Sequence, residues 1–151
     1  MASERDEEDA EVAHLVELYQ GDAAKIMARV ESQLMILATR AQTILSLAGI
    51  TITVTGFSGA SIAKTGRLAS AAIVAGLVLV LVSAAITMTG ILRVEWTTKL
   101  GGAGLDDAVR AAIRIRDSKT VAYSRALKLL IVGLALYVAS VAMLLLGALA
   151  G

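Results

Sequence analysis

Leu68–Leu92 reads LASAAIVAGLVLVLVSAAITMTGIL, 25 residues without one charged side chain. As a helix rising ~1.5 Å per residue it reaches ~37 Å, beyond the ~30 Å hydrocarbon core of a bilayer. A chain of 151 residues folded in water has no core thick enough to bury such a rod. The stretch predicts a membrane span.

Two more uncharged blocks flank it. Leu129–Ala150, LLIVGLALYVASVAMLLLGALA, is 22 residues long and as greasy as the first. Ala41–Ala63 is different in kind, carrying Gln42, Thr43, Ser46, Thr51, Thr53, Thr55, Ser58 and Ser61 besides Gly49, Gly56 and Gly59. At the bilayer centre a Leu or Ile gains ~0.5 kcal/mol and a charge costs ~3 kcal/mol. This block avoids the penalty yet gains little, so its expected place is inside a bundle, covered by other helices. The charged residues, 18% of the chain, fall mostly outside the three blocks.

The fold class that follows is an all-α integral membrane protein with three transmembrane helices and cytoplasmic helical extensions. Its expected parts are an acidic arm (1–21), a helix entering and forming the first span (22–63), a second span (66–99), a basic linker or stalk helix (100–128) and a third span (129–150). Arg93–Lys128 holds eight basic residues, whereas the turn between the first two spans offers only Lys64 and Arg67. By the positive-inside rule the linker is cytoplasmic, which puts the N-terminus inside and the C-terminus outside. The expected location is the bacterial inner membrane, multi-pass. The opening MASERDEEDAEVAH is acidic and polar, unlike a cleavable signal peptide, so the first span is expected to act as an uncleaved insertion signal.

Local signals sharpen the helices. Val12, Leu15, Tyr19, Ala23, Ile26, Val30, Leu34 and Leu37 recur at steps of three and four, and Gln20-Gly21-Asp22 interrupts them, with Asp22 suited to cap a helix starting at Ala23. Ile50-Thr51-Ile52-Thr53-Val54-Thr55 alternates like a strand, but a lone strand leaves its backbone unpaired in lipid, so it reads as helix. The second span is expected to continue to about Lys99 with Trp96 as an interfacial anchor. Gly101-Gly102-Ala103-Gly104 reads as a hinge, after which Asp106 is the expected cap of a helix running unbroken to Leu149.

Catalysis finds little support. Cysteine is absent, and the single histidine, His14, faces no obvious partner at helical spacing. No set of His, Asp and Glu has the spacing of a metal site, and the glycine cluster lacks the Lys-Ser/Thr of a phosphate loop. No enzyme, cofactor, metal or nucleic-acid partner is expected. Charge says more: residues 1–31 hold nine acids against Arg5, Lys25 and Arg29, while residues 93–128 hold eight bases against four acids. Three readings stay open: the bases meet anionic headgroups, the arm docks on the stalk, or Arg110, Arg114 and Arg125 take an anionic cytoplasmic ligand. Arg40, beside the first span, either snorkels to the headgroups or belongs to a ring at a pore mouth.

Small residues form stripes: Gly49, Thr53, Gly56 and Ala60 on the first span; Gly76, Ser83, Thr87 and Gly90 on the second; Ala135 and Ala139 on the third. Such stripes let helix backbones approach closely in lipid. One subunit is not expected to cover a first span so polar on several faces, and homo-oligomerisation around it follows. Thr43, Ser46, Gly49, Thr53 and Gly56 are the candidate pore or packing positions.

The stretch Ala38-Thr39-Arg40-Ala41-Gln42-Thr43-Ile44-Leu45-Ser46-Leu47-Ala48-Gly49-Ile50, preceded by an acidic helical arm, resembles small bacterial multi-span membrane proteins of the Pycsar-type transmembrane effector kind, mainly over residues 22–60. That resemblance implies an oligomeric inner-membrane protein that perturbs the membrane when a cytoplasmic signal arrives. The expected function is ion conduction or membrane perturbation. The alternative is a non-catalytic scaffold or accessory subunit whose stalk recruits a cytoplasmic protein partner.

Overall fold

The computed structural model describes residues 2–62, 67–92 and 104–150, and every element in them is helical. They are α1 (Ala2–Leu18), α2 (Ala23–Ile62), α3 (Arg67–Ile86) continued by a π-helical turn (Thr87–Ile91), and α4 (Leu105–Ala150). Trp96, the run to Lys99, the glycines of 101–102 and the turn around residues 63–66 lie outside the described residues. Among the described residues three helices are long and apolar enough, by length and composition, to cross a membrane, within Ala23–Phe57, Arg67–Ile91 and Leu105–Met143. Their mean hydropathies are 1.4, 2.6 and 2.2, so the first is the least greasy.

The helix boundaries have local causes. Asp22 Oδ1 accepts the backbone N–H groups of Ala24 at 3.1 Å and Lys25 at 3.2 Å, capping α2 as its position predicts. The turn before it puts Gln20 (φ 52°) and Gly21 (φ 74°) in the left-handed region, where glycine alone is unstrained. Ile50–Thr55 is helix, with Thr51 and Thr55 hydroxyls bonded back to Leu47 and Thr51 carbonyls. At the start of α4 Asp106 is not the cap, a correction to the expectation from sequence. Leu105 is already helical, Gly104 supplies the first carbonyl to Ala108 at 3.0 Å, and Asp106 and Asp107 sit within the first turn. There their charges still complement the helix dipole. From Leu105 the helix runs 46 residues without a break.

Packing follows two registers. α3 and α4 are antiparallel: the Ser140 hydroxyl donates to Ala69 O at 2.8 Å and the Ser83 hydroxyl to Ala126 O at 2.6 Å, with Gly76 against Gly133 between them. Successive pairs step by seven residues along both helices, the spacing of a left-handed supercoil. α2 and α4 are parallel, as Ile26 clusters with Val109 and Ile113, Gln33 meets Arg116, and Ile44 and Ala48 share a core with Ala126 and Leu130. Among the described residues the bundle thus has two small cores, one between the three long apolar helices and one where α1 meets α2 and α4.

Candidate functional site

The small residues of α3 are spent inside the subunit. A Cβ on Gly76 would stand 2.8 Å from Gly133 O, and a Cβ on Gly133 2.8 Å from Gly76 O, so two backbones touch there. Ser83 and Thr87 are fully buried, Thr87 bonding back to Ser83 O at 2.9 Å, and a Cβ on Gly90 would meet Ala122 at 2.9 Å. All four of the predicted packing positions Gly76, Ser83, Thr87 and Gly90 therefore lie on or beside α4. Ala135 and Ala139 do not take part; both are exposed, and α4 answers with Ala126, Gly133 and Ser140 instead. Their spacing of seven was the signal available in the sequence.

At the end of α3 the helix widens. Leu92 N–H donates to Thr87 O at 3.1 Å, an i to i−5 bond, and the Lys119 ammonium donates to Ile91 O at 3.1 Å. Such π-turns are short and cost helical regularity, so a cation on a terminal carbonyl is an apt support.

α2 is different. Ala41, Ile44, Ala48, Thr51 and Thr55 are buried against the bundle, while Thr39, Gln42, Thr43, Ser46, Gly49, Thr53 and Gly56 are exposed on the other side. A Cβ at Gly49 or Gly56 would meet nothing within 4 Å. Thr39, Ser46 and Thr53 recur every seven residues, as do Gln42, Gly49 and Gly56, giving a continuous a/d-type seam with no occupant among the described residues. Each hydroxyl donates back to its own helix, Thr39 to Met35 O at 3.0 Å, Ser46 to Gln42 O at 3.0 Å and Thr53 to Gly49 O at 2.9 Å.

The arm lies on the stalk through charge. Asp9 accepts from Arg110 at 2.7 Å, Glu8 from Arg114 at 2.8 Å, and Glu11 takes both terminal nitrogens of Arg116, one at 2.9 Å. Arg116 also meets Asp117 at 2.7 Å and Gln33 at 3.4 Å, so it joins α1, α2 and α4. The hydrogen bond from Arg116 holds the Glu11 carboxyl below its ordinary value of 4.5, against a smaller opposing effect of burial. The neighbouring Lys25 likewise lowers Asp22, by side-chain and backbone hydrogen bonds. Arg116 is the residue sequence reasoning passed over, since charge counting gives it no distinction from its neighbours. Its mark is position, one helical face shared with Val109 and Ile113, which pack against Val12 of the arm.

Arg40 and Arg125 are both exposed. Arg40 lines an open cleft of about 540 Å³ between α2 and α4, with Gln33, Ile36, Leu37, Arg116, Thr120 and Tyr123 among its walls. His14 is exposed at the edge of a smaller hollow beside Glu11 and Arg29. Among the described residues no three His, Asp or Glu side chains gather closely enough to hold a metal ion. Comparison with protein-family models, with characterised proteins and with solved structures gave no match.

Proposed function

We propose that this chain is a homo-oligomeric inner-membrane protein, N-terminus cytoplasmic, that conducts ions or perturbs the bilayer through assembly of α2. The observation that carries the reading is the unoccupied seam of Thr39, Gln42, Ser46, Gly49, Thr53 and Gly56. α3 and α4 use the same device, small residues seven apart, to bring their backbones into contact. On α2 the equivalent positions wait for a helix from outside the subunit. Back-bonded hydroxyls are tolerated in lipid, and an oxygen that donates its proton to the helix can still accept, as a cation shedding water requires. Thr43, adjacent to the seam, then stands near the mouth of the path.

Purified protein in liposomes is expected to pass ions or a small dye, with a flux that Ser46→Leu and Thr53→Leu reduce at least several-fold. Flux equal to empty liposomes would turn the reading toward a scaffold, in which the arm and stalk recruit a cytoplasmic protein.

A further inference from the structure

We propose that the cleft between α2 and α4 binds the phosphate of an anionic phospholipid headgroup, with Arg40 as its cation. The cleft is walled by Gln33, Ile36, Leu37 and Arg40 from α2, at helical steps of three, one and three, and by Arg116, Asp117, Thr120 and Tyr123 from α4. One volume of about 540 Å³ thus offers two arginines, a carboxylate, an amide and two hydroxyl-bearing side chains beside two aliphatic ones.

Depth selects the ligand. Gln33 pairs with Arg116 across an offset of 83 residues, and the same offset puts Arg40 level with Tyr123. Arg40 immediately precedes Ala41, where the first uncharged block begins, and Tyr123 lies six residues, ~9 Å along the axis, before the uncharged Leu129 run, so the cleft straddles a headgroup layer ~5–7 Å deep. Arg110 is ~28 Å from the same point, beyond several screening lengths of ~8 Å at physiological salt.

Charge accounting selects the residue. Arg116 is committed to Glu11 and Asp117, and Arg110 and Arg114 to Asp9 and Glu8. Arg40 makes no ion pair with any described residue, and its planar guanidinium suits bidentate contact with a phosphate. Asp117, on the far wall, is 57% exposed and already bonded to Arg116, which limits its repulsion of an anion. Ile36, 53% exposed, leaves an apolar flank for the glycerol and upper acyl chain. That mixture fits a lipid better than a free anion.

The test is thermal stability of the full-length chain in detergent, with phosphatidylglycerol or phosphatidylcholine added. Arg125→Gln is the control, because Arg125 has the same charge two residues from Tyr123 but does not line the cleft. The wild type and Arg125→Gln are expected to be stabilised at several-fold lower phosphatidylglycerol than phosphatidylcholine. Arg40→Gln, monodisperse and equally helical, is expected to lose that preference. Equal loss in both variants, or in neither, would overturn the site. So would stabilisation by millimolar inorganic phosphate alone matching that of the lipid, which would make the ligand a soluble anion. Flux in liposomes is a separate readout, so its absence leaves this result standing.

Discussion

Gly76 and Gly133 oppose one another across the α3–α4 contact so closely that a Cβ on either would stand only 2.8 Å from the other's carbonyl oxygen. Backbone cannot move aside as a flexible side chain can. Gly76→Ala is expected to cost about 1–3 kcal/mol, the range for overpacking a tight interior. Gly49→Ala, into open space within α2, is expected to cost nothing and to stabilise the helix by up to ~1 kcal/mol. Reversible unfolding in mixed micelles followed by circular dichroism separates the two.

The same contrast bears on assembly. Gly49→Leu and Ser46→Leu add bulk at exposed positions of α2, so neither should lower the stability of the monomer by more than ~0.5 kcal/mol. Both are expected to shift the mass measured in detergent by light scattering toward the monomer. An unchanged oligomer would remove α2 from the interface.

Docking of the arm should depend on acid in a stated direction. The folded Glu11 carboxyl is held below 4.5, so its contribution is fully present above that value and is lost as pH falls through the depressed one. Hydrogen exchange of α1 amides is therefore expected to be flat from neutrality to about pH 5 and to accelerate in more acid solution. Asp22, lowered in the same sense, reinforces the trend at the start of α2. Glu11→Gln should exchange faster at neutral pH with a shallower acid response. A steep response that survives the substitution would point to another group.

The apolar part of the same contact outweighs any one ion pair. Ile113 is 1% exposed among Val12, Ile26 and Val109, and Ile113→Ala should cost about 2–4 kcal/mol, as for other buried Ile-to-Ala truncations. A double-mutant cycle on Glu11 and Arg116, whose side chains are 37% and 19% exposed, should return no more than ~1 kcal/mol after solvent screening. Limited proteolysis at the Gln20–Gly21 turn reads both effects.

Long uncharged runs made the helices of the spans legible, because lipid leaves an isolated segment no other way to satisfy its backbone. Asp22 was legible as a cap for a local reason, its carboxylate reaching amides two and three residues on. Faces were harder. Thr51 and Thr55 turn inward and Thr53 outward, and composition alone treats the three alike. The partners of Arg110 and Arg114 were beyond reach too, since a headgroup and a carboxylate are equivalent to a count of charges. Only the fold, which carries Glu8 and Asp9 back to α4, distinguishes them.

Because α2 and α4 point the same way and only α3 runs against them, the peptide dipoles of the three rods do not cancel in pairs. One helix's worth is left over, with its positive pole, about half an elementary charge, at the Ala23 and Leu105 ends. Asp22, Asp106 and Asp107 stand at those two poles as its local counter-charges. In a ring of such subunits the leftover fields would add, giving the assembly a built-in polarity along its axis before any mobile ion arrives.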